Sequence, residues 1–178
     1  MAHNDTSPVI RCSVWIRPEG EALQALVRTM RLMHQRGGGP RFEPHLTLLS
    51  GSETTAADAE LKLKHLAARV KPFAIELQEI RWRDDYFRSL YAVAELSDEL
   101  IAAREAAYDA FEMNPSPPYE PHVSLLYGNQ DEALKQELAA AAGGRLDLMF
   151  TVAALHLVNA SPSVPVTGWR TLAERSFG

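Results

Sequence analysis

Short apolar segments rich in β-branched and aromatic residues alternate along the chain with longer segments of helical periodicity. The first short segment, Val9 to Ile16, is stopped by Pro18 and predicts a strand. The same features predict further strands over Pro44–Leu49, Phe73–Trp82, Ser89–Glu95, His122–Tyr127, Leu146–Val158 and from Thr167 onward. The chain therefore contains enough strands for at least one complete sheet.

Between these segments apolar residues recur every three or four positions, which predicts four helices. The first runs from Glu19 to about His34 and is ended by a glycine-rich loop. The others run from an N-cap among Ser52–Thr55 to about Val70, from the N-cap Ser97 to Phe111, and from Asp131 to Ala142. Because strands and helices interleave without a linker, we predict an α/β or α+β fold in one domain, residues 1–178.

One eight-residue pattern occurs twice, at Phe42–Leu49 and at Tyr119–Leu126. Both copies have an aromatic residue, Glu, Pro, His, an apolar residue, Thr or Ser, and two leucines. The histidines, at positions 45 and 122, are 77 residues apart, which is close to half the chain. This spacing indicates two similar lobes that face each other about a pseudo-twofold axis.

The repeated pattern places a histidine and a hydroxyl on one face of a strand, because residues i and i+2 point the same way. His45 would lie beside Thr47, and His122 beside Ser124. Two imidazoles with a pKa near 6.5 can act as base and acid at neutral pH, as in-line hydrolysis of a phosphodiester requires. The hydroxyls can donate to the non-bridging phosphate oxygens. We predict that His45 and His122 are catalytic and that Thr47 and Ser124 bind phosphate.

Two other interpretations of the repeat are a purely structural duplication and a metal site. A structural repeat would not need a polar face in each half. A metal site normally needs a third protein ligand. The other histidines lie in patterns that do not suggest a ligand. His34 is at a helix end, His65 is on a solvated helix face, His156 is on a late strand, and His3 is in the N-terminal tail. We therefore expect no metal and no cofactor.

Charge and composition restrict the partners. The net charge of −5 argues against a long nucleic acid as partner, although a small phosphate compound remains compatible. No segment has the length of a membrane span, and Met1 to Pro8 has no signal-peptide core. Cys12 is the only cysteine, which excludes an internal disulfide. We expect a cytoplasmic protein, with no membrane partner, that is a monomer.

The paired motif resembles that of the 2H phosphoesterases, and within them that of the cyclic phosphodiesterases best known from plants and yeast. The likeness covers nearly the whole chain. It includes three further stretches, Ser13–Pro18, Gly39–His45 and Pro118–Tyr127. The resemblance implies a bilobal α+β fold with two pseudo-symmetric antiparallel sheets, outer helices and a central cleft.

The resemblance also implies hydrolysis of ADP-ribose 1″,2″-cyclic phosphate, or of nucleoside 2′,3′-cyclic phosphates to 2′-phosphates. By position, Tyr127 would lie near the phosphate or the attacking water, and Trp15 and Phe87 would be aromatic walls. Pseudo-symmetry does not say which histidine is the base. The alternatives are a 2′,5′ phosphodiesterase or ligase acting on RNA ends, and a non-catalytic nucleotide-binding module.

Arg81, Arg83 and Arg88 flank the hairpin in the middle of the chain. They are candidates for contact with a distal phosphate, although an exposed charged turn is the preferred interpretation.

Overall fold

The computed structural model describes residues 7–116 and 118–178, so His3 and Pro117 lie outside the described residues. Within these ranges the strands are β1 (Val9–Ile16), β2 (Leu46–Thr55), β3 (Phe73–Trp82), β4 (Leu90–Ala94), β5 (His122–Leu126), β6 (Arg145–Val152), β7 (Ala154–Asn159) and β8 (Arg170–Ser176). The helices are α1 (Gly20–Gly37), α2 (Ala56–Ala67), α3 (Asp98–Ala110) and α4 (Glu132–Ala141). Short 3₁₀ segments lie at Tyr86–Arg88 and Val166–Gly168.

All eight strands belong to one antiparallel sheet in the order β6-β3-β4-β5-β2-β1-β7-β8. The sheet has two halves of four strands, and each half has a strand of the repeated motif at its inner edge. These two strands, β2 and β5, are joined through one residue pair, Leu46 and Val123. The fold is α+β and bilobal, as predicted, with the two lobes continuous across this junction.

The helices that precede the two motif strands are exchanged between the lobes. Helix α1 leads into β2 but packs on β5 and α4, whereas α3 leads into β5 but packs on β2 and α2. Most buried apolar residues of both lobes form one continuous cluster, and Trp15, Val158 and Ala160 form a second, small one. The two lobes therefore share a core and are not independent folding units.

Side-chain caps begin three of the helices at the predicted places. The hydroxyls of Thr55 and Ser97 accept hydrogen bonds from the amides of Asp58 and Leu100. Asp131 caps α4 in the same way, with a 2.8 Å bond from the amide of Leu134. Each cap satisfies an amide that has no partner within its helix.

Two predicted strand boundaries were wrong. The segment Leu146–Val158 is two strands, because β6 pairs with β3 in one lobe and β7 pairs with β1 in the other. The strand of the first motif copy, predicted to end at Leu49, continues to Thr55. Its pairing with β1 shifts register near Leu48 and again near Gly51, where φ is 81°, so bulges carry the strand past the glycine.

The glycine-rich loop after α1 approaches β5 closely. Gly38 and Gly39 both have positive φ, of 70° and 81°. A Cβ atom on Gly39 would lie 2.2 Å from the carbonyl oxygen of Tyr127, whereas a Cβ on Gly38 would meet nothing within 4 Å. The close approach seats Phe42 against Tyr127, with their ring centroids 3.7 Å apart.

These two glycines make a matched pair of variants. Both Gly38→Ala and Gly39→Ala should lower the free energy of unfolding by about 1–3 kcal/mol, because alanine disfavours positive φ. Gly39→Ala should lose clearly more, since its methyl group also collides with the Tyr127 carbonyl. Urea unfolding of both variants measures the difference, and equal losses would show that the loop moves away from β5 without cost.

Candidate active site

A cavity of about 380 Å³ lies between the two lobes. All seven residues that the sequence singled out line it: Trp15, His45, Thr47, Phe87, His122, Ser124 and Tyr127. Because these residues come from four separate segments of the chain, the fold alone brings them together. The size of the cavity falls within the range of small-ligand sites.

The junction between the lobes sets the order of the central polar residues. Leu46 and Val123 are paired and fully buried on the core side of the sheet. Because β2 and β5 are antiparallel, the residue before Leu46 lies opposite the residue after Val123, and the reverse. His45 therefore lies beside Ser124, and Thr47 lies beside His122. Each histidine therefore has its own lobe's hydroxyl along the strand and the other lobe's hydroxyl across the junction.

Backbone carbonyls hold both imidazoles in the same tautomer. Nδ1 of His45 lies 2.7 Å from the carbonyl oxygen of Glu43, and Nδ1 of His122 lies 2.8 Å from that of Glu120. A carbonyl oxygen only accepts, so each Nδ1 must carry the hydrogen. Neither Nε2 has a hydrogen-bond partner among the described residues. Both rings are left with Nε2 available to the cavity.

An aromatic ring on the neighbouring strand contacts each histidine, with different geometry in the two lobes. Trp15, paired with Thr47, stacks on His45 with a centroid distance of 3.6 Å and an angle of 10°. Tyr91, paired with Ser124, meets His122 edge-on at 5.2 Å and 66°. The duplication thus extends to the strands beside the motif, but the stacked ring covers His45 more completely.

Burial affects the two histidines unequally. Burial and, to a smaller extent, the nearby charges of Arg17 and His122 lower the pKa of His45 to about 4, against the opposing hydrogen bond to the Glu43 carbonyl. Burial also lowers the pKa of His122, and the Arg88 charge adds to this, but the hydrogen bond to the Glu120 carbonyl and the carboxylates of Glu120 and Asp85 oppose the shift. His45 is the ring that more strongly resists protonation, and His122 is the ring with acidic neighbours.

The two hydroxyls also differ. Ser124 donates a 2.9 Å hydrogen bond to the carbonyl oxygen of Phe87 and interacts with the hydroxyl of Tyr127. The Thr47 hydroxyl has no partner within the described part of the chain. Thr47 can donate to a ligand as it stands, whereas Ser124 must first rotate away from Phe87.

Sequence reasoning assigned no role to several aromatic residues of the cavity region, among them Trp169, Phe42 and Tyr119. Trp169 lines the cavity and packs edge-on against Trp15 at 5.7 Å and near Phe87 at 6.0 Å. Phe42 stacks on Tyr127, and Tyr119 donates a 3.2 Å bond to the carbonyl oxygen of Thr47. Phe42 and Tyr119 begin the two motif copies, so the repeat already contained their signal. Trp169 had none beyond its residue type.

The three arginines of the central hairpin converge on one carboxylate. Arg81 and Arg83 lie 3.3 and 2.6 Å from Glu120, and Arg88 lies 3.8 Å from it. Arg81 also pairs with Glu79, and Arg88 with Asp85, so each of the three charges has a carboxylate partner. The structure therefore favours an ion-pair cluster over three free phosphate-binding groups. The cluster fixes the residue whose carbonyl orients His122.

The remaining described histidines do not gather around the cavity. The ring nitrogens of His34 lie 2.6 and 2.8 Å from the carbonyl oxygens of Met30 and Pro40. His156 is buried on β7 beside Glu174, and His65 is exposed on α2. Within residues 7–116 and 118–178, no three His, Cys, Asp or Glu side chains are grouped so as to hold a metal. In the same residues no helix combines the length and apolarity that crossing a membrane requires.

Residues 18–162 match the family described as the 2′-5′ RNA ligase superfamily. The chain belongs to this superfamily. A cyclic phosphodiesterase of Arabidopsis thaliana is 26% identical over 166 residues, which cover 90% of this chain and 92% of that protein. With this relative, superfamily membership makes the chain a 2H phosphoesterase, an enzyme with phosphodiesterase-type activity.

Solved structures of the superfamily share the fold. E. coli LigT in complex with 3′-AMP superposes with a TM-score of 0.66 at 16% identity, covering 96% of this chain and 99% of LigT. The protein TT0787 of Thermus thermophilus also gives 0.66, at 19% identity, covering 94% of this chain and 98% of that one. These likenesses establish the bilobal architecture of the superfamily in this chain.

The buried His45 should make the protein less stable in acid. An unfolded histidine binds a proton near pH 6.5, whereas His45 in the folded protein does so only near 4. Between these values the unfolded state holds more protons, so the free energy of unfolding falls as the pH falls. His45→Gln keeps a donor for Glu43 but cannot titrate, and should reduce this loss by up to ~3 kcal/mol. Urea unfolding of wild type and His45→Gln between pH 7 and 4 tests this. If the free energy of unfolding fell equally with pH in both proteins, the expectation would be contradicted.

Proposed function

We propose that the protein hydrolyses a ribose cyclic phosphate without a metal ion, using His45 and His122 as the acid/base pair. The substrate would be ADP-ribose 1″,2″-cyclic phosphate or a nucleoside 2′,3′-cyclic phosphate, the latter opened to the 2′-phosphate. The observation that carries the proposal is the shared tautomer. Both Nδ1 atoms donate to the carbonyl of the motif glutamate, so both Nε2 atoms are left for proton exchange.

His45 is the general base in this mechanism. Its Nε2 stays unprotonated because burial lowers its pKa to about 4. In that state it can accept a proton from the water that attacks phosphorus. Trp15, stacked on the ring, keeps the imidazole in place as it accepts the proton.

His122 is the general acid. Its Nε2–H donates to the leaving ribose oxygen as the bond from phosphorus to that oxygen breaks. The carboxylates of Glu120 and Asp85 favour the protonated ring against its burial. One water is added, the attacking oxygen joins phosphorus, and one ribose hydroxyl is released. The second ester bond stays intact, so one monophosphate results.

Thr47, Ser124 and Tyr127 surround the phosphate. The free hydroxyl of Thr47 donates to one non-bridging oxygen, and Ser124 donates to the other after leaving Phe87. Donors aimed at oxygens that gain charge in the transition state commonly contribute 10²–10³-fold each, roughly, to the rate. Trp15, Phe87 and Trp169 form an apolar wall for the sugar or base.

A small substrate fits the cavity and the charge of the protein. The cavity of about 380 Å³ suits a compact ligand, and the net charge of −5 disfavours a long RNA strand. E. coli LigT, which shares the fold, has been crystallised with 3′-AMP and with phosphate. These facts favour a small cyclic phosphate over an RNA end.

The mechanism is tested by turnover of 2′,3′-cyclic AMP and ADP-ribose 1″,2″-cyclic phosphate, with and without EDTA. We expect EDTA-resistant hydrolysis to a single monophosphate. His45→Ala and His122→Ala should each lower kcat by about 10²-fold or more, since each removes one proton transfer. Circular dichroism controls for folding. Loss of activity in EDTA, with recovery on adding zinc, would refute the acid/base assignment.

The pH dependence tests the division of roles. His45 must be neutral, so kcat/KM should fall below about pH 4. His122 must be protonated, and its pKa lies below the ordinary value of about 6.5, so kcat/KM should decline as the pH rises past that lowered value. The maximum should therefore lie on the acid side of neutrality. A pH-independent rate, or a maximum on the alkaline side, would contradict the assignment.

A further inference from the structure

The cavity has two chemically different ends. Beyond Ser124, β5 leads to Tyr127 at an end walled by Phe87 and Trp169. Beyond Thr47, the antiparallel strand β2 leads in the opposite direction to Ser50, at an end that also contains Arg104. A strand rises about 3.3 Å per residue, so each end lies roughly 10 Å from its hydroxyl. One end is aromatic and the other is polar and cationic.

Arg104 is held rigidly at the cationic end. Its guanidinium carbon lies 4.2 Å from the ring centroid of Tyr119 and 4.7 Å from that of Tyr108. Tyr119 in turn donates to the carbonyl oxygen of Thr47. This chain of contacts fixes the guanidinium relative to the strand that carries the phosphate-binding hydroxyl.

No carboxylate neutralises Arg104 within the described residues. Its only protein acceptor there is the carbonyl oxygen of Ser116, 3.3 Å from Nη2, and its Nε is buried without a partner. The other arginines that line the cavity are paired, Arg11 with Glu53 and Arg88 with Asp85 and Glu120. A half-buried cation without a counter-charge is costly unless an anion completes it.

We propose that Arg104 binds a second phosphate of the substrate, one attached outside the cyclic phosphate that is cleaved. This inference rests on the proposed function. For a nucleoside 2′,3′-cyclic phosphate with its phosphate between the histidines, the base would occupy the aromatic end and the 5′ group, on the other side of the ribose, would reach Arg104. In ADP-ribose 1″,2″-cyclic phosphate, whose cyclised ribose carries no base, the 5″-pyrophosphate would take the same place. A guanidinium is well suited to phosphate because it offers parallel donors in a plane. The enzyme would thus prefer substrates with a 5′-phosphate or a pyrophosphate over simple nucleoside cyclic phosphates.

Two substrates that differ by one group test the proposal. These are 2′,3′-cyclic AMP and the same compound with a 5′-phosphate. ADP-ribose 1″,2″-cyclic phosphate is the third substrate, and it carries a pyrophosphate instead. A hydrogen bond to a charged group is worth enough to change kcat/KM about tenfold or more. We expect the wild-type enzyme to favour the 5′-phosphorylated compound by that factor. Arg104→Gln should raise KM for the 5′-phosphorylated compound and abolish the preference, with a much smaller effect on 2′,3′-cyclic AMP.

Two further variants control for charge and folding. Arg28→Gln removes an exposed arginine from α1 and should keep the preference. Arg104→Lys keeps the charge without the planar fork and should restore part of the preference. A larger rate for ADP-ribose 1″,2″-cyclic phosphate than for the 5′-monophosphate would identify a pyrophosphate as the natural group.

Binding measurements separate this inference from the proposed function. Calorimetry with adenosine 2′-phosphate and adenosine 2′,5′-bisphosphate needs no turnover. If neither cyclic phosphate is cleaved but the bisphosphate binds about tenfold more tightly to wild type than to Arg104→Gln, the site stands and the hydrolysis proposal fails. Equal kcat/KM values of the wild-type enzyme for the two substrates would overturn the role of Arg104. An equal fall in kcat/KM for both substrates in Arg104→Gln would overturn it as well.

Discussion

The site depends on the single pairing of Leu46 with Val123, through which the two halves of the sheet join. Both residues are fully buried on the core side, so the residues on either side of them face the cavity. A slip of either strand by one residue at this junction would turn that strand's histidine into the core and its Leu46 or Val123 outward. The exchange of α1 and α3 between the lobes opposes such a slip, because each helix packs on the motif strand of the other half.

On this nearly symmetric frame, the neighbours of the histidines create the chemical difference that acid/base catalysis needs. His45 lies beneath Trp15, and its burial and the nearby charge of Arg17 both disfavour its charged form. His122 meets only the edge of Tyr91 and lies near two carboxylates that favour its charged form, which the charge of Arg88 opposes. Environments that shift the pKa values of two like groups differently are the usual means of assigning them opposite roles.

Local sequence predicted what depends on local contacts. The motif copies, the capping residue Ser97, the start of the last helix at Asp131 and the strand bearing Trp15 could be predicted, because helical or strand periodicity and capping act within a few residues. The split between β6 and β7 could not, because it reflects which distant strand each half of the segment joins. Arg104 could not be predicted either. Among the residues that the structure describes, no carboxylate lies close enough to pair with it, and only the three-dimensional structure shows this.

The exchanged helices have a consequence for how such a protein can arise. In each half, the helix before the motif strand buries its apolar face against the other half, as the exchanged segments of a swapped homodimer do. Two identical copies would enclose a site whose imidazoles had identical surroundings and so identical proton affinities. Covalent fusion removes that restriction, because a substitution then alters one half alone. Joining the halves in one chain is what allows an aromatic end and a cationic end to exist in a single cleft.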